Sequence, residues 1–198
     1  MADGPAKPIA PSAAHEWPRR RTAVVVGAVV LALLAGLLVW LLARGDGDEK
    51  NAAPSVPVGR PVALSDADLR AFARAQALPV YWAGPRANTT YELTRSAGGQ
   101  IYIRYLPTGV RVGDPRPGFV TVGTYPQQNA YAALTAAGKR KGYTAVTAQS
   151  GALIVYNRRK HASVYFTFPG AAFQVEAYDP RPGQARAAVL RGGIVQLR

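Results

Sequence analysis

The sequence predicts an α+β domain: an antiparallel sheet, or sheets, with packed helices, built as two related halves and preceded by one transmembrane helix. Three observations carry this. An uncharged apolar run lies near the N-terminus. Beyond it, segments of helical period alternate with segments of period two. The pentapeptide DPRPG occurs twice, at 114–118 and 179–183. Helices set between runs of turn-linked strands give this class its layered packing.

The apolar run, Ala23 to Ala43, is 21 residues long and carries no charge. At about 1.5 Å per residue it crosses a hydrocarbon core of roughly 30 Å. Its length exceeds the 7–15 apolar residues of a cleaved signal, and LLAR at its end is a poor cleavage site. Residues 22–43 are therefore expected to be an uncleaved signal anchor. Arg19, Arg20 and Arg21 abut its start, whereas RGDGDEK on the far side mixes signs. The positive-inside rule then places the N-terminus in the cytoplasm and the C-terminal part outside. Ala28, Ala32 and Gly36 fall four apart on one helix face, a spacing that lets two such helices approach closely and form a homodimer, although so alanine-rich a run also gives it by chance.

Residues 1–21 read as a disordered cytoplasmic tail, rich in Ala and Pro. Residues 44–63, with three acids and three prolines, read as a flexible linker. The folded extracytoplasmic part is then 64–198. RGD at 44–46 and LPTG at 106–109 are near-miss motifs without the context that would give them meaning.

Within the domain, LSDADLRAFARAQA is a helix. Ser65 caps it, Asp66 and Asp68 suit its positive start, and Leu69, Phe72, Ala73 and Ala77 share a face. LPVYWAG is a strand. TYELTRSAGGQIYIRYL is a hairpin turning at Ala97–Gly99, GVRVG is a short strand, and FVTVGTY follows DPRPG as another. From Gln127 the order restarts, with a helix carrying Tyr131 and Leu134, strands YTAVTA and ALIVYN, the turn NRRKH, and strands ASVYFTF and AAFQVEAY. DPRPG then recurs before a short helix, QARAAVLR, and a last strand. The halves are 65–126 and 127–198, with DPRPG in the same slot of each. A Pro- and Arg-rich chain that reused a good turn would also show the repeat. Arg116 and Arg181, inside the two copies, are a candidate anion clamp on exposed loops.

The charge is strongly positive, +13 over 198 residues, and nearly all of the excess lies beyond Arg60. There is no cysteine, and His161 is the one histidine outside the tail. Thiolate chemistry is excluded, and no histidine pair exists to hold a metal. No phosphate loop, dinucleotide fingerprint or nucleophile elbow occurs. No cofactor or metal is expected and no catalytic residue is assigned. Glu92 and Glu176 are the one carboxylate pair that a wall-modifying hydrolase could use.

Binding is the expectation instead. Outside the cell a cationic surface meets anionic wall polymers and lipid head groups, and the topology argues against nucleic acid. Arg158, Arg159 and Lys160, at the tip of the second hairpin, are the candidate contact patch. SAGG takes that place in the first hairpin, so the fold does not need the charges. Trp82 and Tyr102 are candidate stacking residues. The alternative is a structural or regulatory subunit of an envelope complex, with an envelope protein as partner.

The layout, with the phrases LPVYWAG, YELT and GGQIYIRYLP, resembles single-pass membrane-anchored proteins of high-GC bacteria. The resemblance covers the chain from about Ala63 to the end. It implies a source and carries no known activity or site residues.

Overall fold

The computed structural model describes residues 53–198, which form an α+β domain. The strands are β1 (Val62–Leu64), β2 (Tyr81–Trp82), β3 (Thr89–Arg95), β4 (Ile101–Pro107), β5 (Thr121–Pro126), β6 (Tyr143–Thr147), β7 (Leu153–Asn157), β8 (Ser163–Thr167), β9 (Phe173–Tyr178) and β10 (Val195–Gln196). The helices are α1 (Asp66–Arg74), α2 (Ala130–Gly138) and α3 (Gln184–Leu190). Eight strands make one antiparallel sheet in the order β1-β3-β4-β5-β9-β8-β7-β6, and β2 pairs with β10 in a separate ribbon.

Local chemistry explains the helix starts. The Ser65 hydroxyl accepts from Asp68 N at 3.1 Å, and the Asp68 carboxylate accepts from Ser65 N at 3.3 Å. This capping box satisfies two of the free N–H groups of α1. Leu69, Phe72 and Ala73 are buried at helical spacing, but α1 stops at Arg74, so Ala77 lies beyond the helix and is exposed. α2 has no side-chain cap, and its N-cap Asn129 sits in the left-handed region at φ 54°. It is held by packing instead. Gly138 lets it settle on β6, because a Cβ there would lie 2.7 Å from the Ala145 Cβ.

Alternation along the strands gives the sheet two distinct faces. The first buries Leu93, Ile103, Val122, Phe166 and Val175 under α1, α3 and the β2–β10 ribbon. On the second, α2 covers β6, β7 and β8 through Leu134, Leu153 and Val155, with Tyr131, Tyr143 and Tyr165 at the margin. Among the described residues no helix lies over its β3-β4-β5-β9 portion, and the 108–120 loop reaches across one end of it.

Three expectations change. The segment expected as linker, 44–63, is part of the fold toward its C-terminal side: Val56 is 6% exposed, Val58 bridges Arg95, and Val62 begins β1. Proline and glycine in the segment mask valines that the sheet and core use. GVRVG is not a strand, and Val110–Gly113 turn back toward the sheet. The two DPRPG copies therefore take different slots: the first precedes β5, the second follows β9. They meet nonetheless at one end of the sheet, because Thr121, at the start of β5, pairs with Tyr178, at the end of β9. The strand order itself is mirrored about the β5–β9 seam, β1-β3-β4-β5 against β6-β7-β8-β9.

Candidate functional site

The antiparallel register brings the basic loops together. Tyr143, starting β6, pairs with Asn157, ending β7. The turn that enters β6 and the turn that leaves β7 therefore lie side by side, and the Arg158 amide donates to the Gly142 carbonyl at 2.8 Å. The first turn carries Lys139, Arg140 and Lys141; the second carries Arg158, Arg159, Lys160 and His161. All seven are exposed. The Asn157 side chain shapes the second turn, its Oδ1 accepting from the amides of Arg159 at 2.8 Å and Lys160 at 3.1 Å. This local bonding is what asparagine offers a turn. Between the turns is a hollow of about 520 Å³, lined by Lys141, Gly142, Asn157, Arg158, Arg159 and Lys160. None of the ion pairs among the described residues involves the six cations. The expected tip is therefore exposed, and its partner turn comes from GKRKG, which the sequence assigns to the helix QQNAYAALTAAGKRKG and which the structure places beyond α2 from Lys139 on.

The DPRPG turns repeat one small device. In the first, Arg116 curls back on Asp114, donating from Nη2 at 2.7 Å and from Nε at 2.9 Å, while its amide donates to the same carboxylate at 2.9 Å. In the second, Arg181 does the same to Asp179 at 2.8, 3.0 and 2.9 Å. The hydrogen bonds from Arg116 hold Asp114 down to about 2. Burial pushes Asp179 up, and the bonds from Arg181 outweigh it, so its carboxyl ends below the usual range. The clamp reading is corrected accordingly. Both guanidinia are exposed, but each is engaged by its own turn's carboxylate. The second turn also braces the basic tip, with Asp179 N bonded to Ala162 O at 2.9 Å.

The uncovered part of the second face holds a polar cleft. One row across the sheet runs Thr94, Tyr102, Gly123, Glu176, Tyr165 and Val155. Glu176 accepts from Tyr125 at 2.7 Å, Ser163 at 2.7 Å and Tyr165 at 3.0 Å. Burial first, then the bond and charge of Glu176, raise the Tyr125 phenol far above its usual value. Burial and the Glu176 charge push Tyr165 up to about 12. In the neighbouring row Glu92, 1% exposed, accepts from Arg104 at 2.7 Å and from Gly113 N at 2.5 Å. Arg104 also donates to the carbonyls of Asp114 and Arg116, each at 2.9 Å. It thereby pins the 108–120 loop to the sheet.

The stacking pair divides. Tyr102 is half-buried and lines the cleft, edge-on to Tyr125 at 5.6 Å between centroids. Trp82 is 2% exposed, packed on Tyr91 with the Arg70 guanidinium 5.1 Å from its ring, and offers no free face. β2 sits inside the core layer, which the alternation of YW alone does not show. Tyr81 and Tyr105 are core residues too. Glu92 and Glu176 lie three strands apart on one face, roughly 14 Å at ~4.8 Å per strand. That exceeds both carboxylate separations used for glycoside hydrolysis.

Ala28, Ala32, Gly36 and the whole apolar run fall outside the described residues. Among the described residues no helix is long and apolar enough to cross a membrane, and no group of three His, Asp or Glu could hold a metal ion. Comparison of the chain with protein-family models, with curated protein sequences and with solved structures finds no match.

Proposed function

We propose that this is a single-pass membrane protein with a cytoplasmic N-terminus, whose extracytoplasmic domain binds a polyanion of the cell envelope through the paired basic turns. The observation that supports it most is the convergence of Lys139–Lys141 with Arg158–Lys160, six exposed cations with no carboxylate partner among the described residues. Like charges on adjacent turns repel, and a bound polyanion relieves that repulsion. Each such residue contributes about 1 kcal/mol toward an anionic surface at short range. The shared chemistry is phosphate or carboxylate, supplied by a wall polymer or by lipid head groups.

The purified protein, loaded on immobilised teichoic acid and on phosphatidylglycerol vesicles, separates those sources. Retention on either at low salt, released as the Debye length falls from about 30 Å to about 8 Å, is the expected outcome. No retention on either at low salt contradicts the proposal.

A further inference from the structure

We infer that the uncovered face carries a saccharide-binding cleft, centred on Tyr102, Gly123 and Glu176, separate from the basic turns. Gly123 sits mid-sheet between Tyr102 on β4 and Glu176 on β9. It has no side chain to fill the row, and a Cβ there would lie 3.0 Å from the Tyr125 ring. The Tyr125 ring lies across that position, beside a hollow of about 280 Å³ lined by Tyr102, Tyr125 and Tyr178 together with Arg104 and Glu176. A second hollow of about 470 Å³, toward β3, shares Tyr102 and Arg104 with it. Together they form a groove running across the strands, on the scale of small-molecule sites.

The chemistry of the lining selects the ligand class by elimination. A carboxylate in the cleft repels anions. The Arg104 guanidinium is already paired with Glu92 and the Glu176 carboxylate already holds three hydroxyls, so neither offers a charged ligand a free counter-ion. Hydroxyls and charges on the walls leave a purely apolar ligand with unpaired polar groups to bury. A neutral ring with an apolar face and a rim of hydroxyls meets none of these objections. Its apolar face packs on an aromatic ring, and its hydroxyls find both donors and acceptors. Glu176 takes three hydrogen bonds, which leaves one of a carboxylate's roughly four acceptor positions. Arg104 uses three N–H groups, which leaves about two of five. The hydroxyl of Tyr125 donates to Glu176 and keeps a lone pair to accept from the ligand. Two adjoining hollows around one tyrosine fit successive rings of a linear oligosaccharide.

The test uses the full-length protein in detergent, titrated by calorimetry with chitotetraose, cellotetraose and maltotetraose. At least one of these neutral sugars should bind at millimolar concentration, with an affinity unchanged by salt. Tyr102→Phe should keep that affinity, and Tyr102→Ala should weaken it about tenfold, the scale of one stacking contact. Thermal unfolding of each variant checks that the sheet is intact. Failure of all three sugars to bind overturns the proposal, as does binding that survives Tyr102→Ala in a folded protein. Salt-independent binding of a neutral probe is a different signal from polyanion retention, so either reading can fail without the other.

Discussion

Arg104 bonds to a carboxylate and two carbonyls while its guanidinium lies 5.0 Å from the Phe119 ring. Its partner Glu92 is fully enclosed. Arg104→Ala strands that charge, and breaking a buried pair from one side costs about 3–5 kcal/mol. Urea unfolding should show that loss, and a much smaller one for the double change Glu92→Leu with Arg104→Met. The DPRPG arginines act more locally. Asp114 has its folded pKa below the unfolded value, so its contribution to stability is present above the unfolded value and is lost as pH falls through about 2. Arg116→Ala should move the Asp114 titration, followed by carboxyl NMR, back toward the ordinary range. The acid-linked loss of stability from this group then shrinks, because its folded and unfolded values converge. An unmoved titration would mean that the Arg116 bonds do not set it. The turn itself was legible in Asp, Pro and Gly. The Asp–Arg closure was not, because residues two apart meet this way only once the turn has fixed the backbone. Trp82 was misread for a related reason: an aromatic on a strand does not announce which layer the strand joins.

α1 was legible almost completely, since its cap, its acidic first turn and its apolar stripe all lie within ten residues. β3, β4, β8 and β9 were legible from alternation. β1 was not, because three residues among prolines and glycines cannot display a period. The close approach of α2 to β6 depends on the missing side chain of Gly138. Gly138→Leu should push the helix off β6 and cost about 1–3 kcal/mol by overpacking, measured by thermal or urea unfolding. An unchanged midpoint would mean that the close approach of Gly138 to Ala145 is not needed. The first DPRPG changed slot because VRV, apolar at alternate positions, mimics a strand. The structure uses that segment as a loop, with Gly113 reaching the enclosed Glu92.

Across the molecule the basic turns, both DPRPG copies and the 108–120 loop all lie at one end of the sheet, while the chain enters at the other, where Val58 bridges Arg95. Sequence showed the cationic tip but not its neighbour, because the pairing of the α2–β6 turn with the β7–β8 turn is a product of register. The same charges stand beside β6, an open edge strand, where they discourage pairing with another sheet. At the tip the proposed binding role and the fold are separable. Its side chains make no ion pair among the described residues, and its shape comes from Asn157. The most direct measurement is retention of the triple variant Arg158→Ser, Arg159→Ser and Lys160→Ser on the anionic matrix that holds the unaltered protein at low salt. Loss of three cations should weaken binding by about 3 kcal/mol, on the order of 100-fold, with the unfolding midpoint unchanged. Full retention by a folded triple variant would contradict the assignment of the paired basic turns as the binding surface.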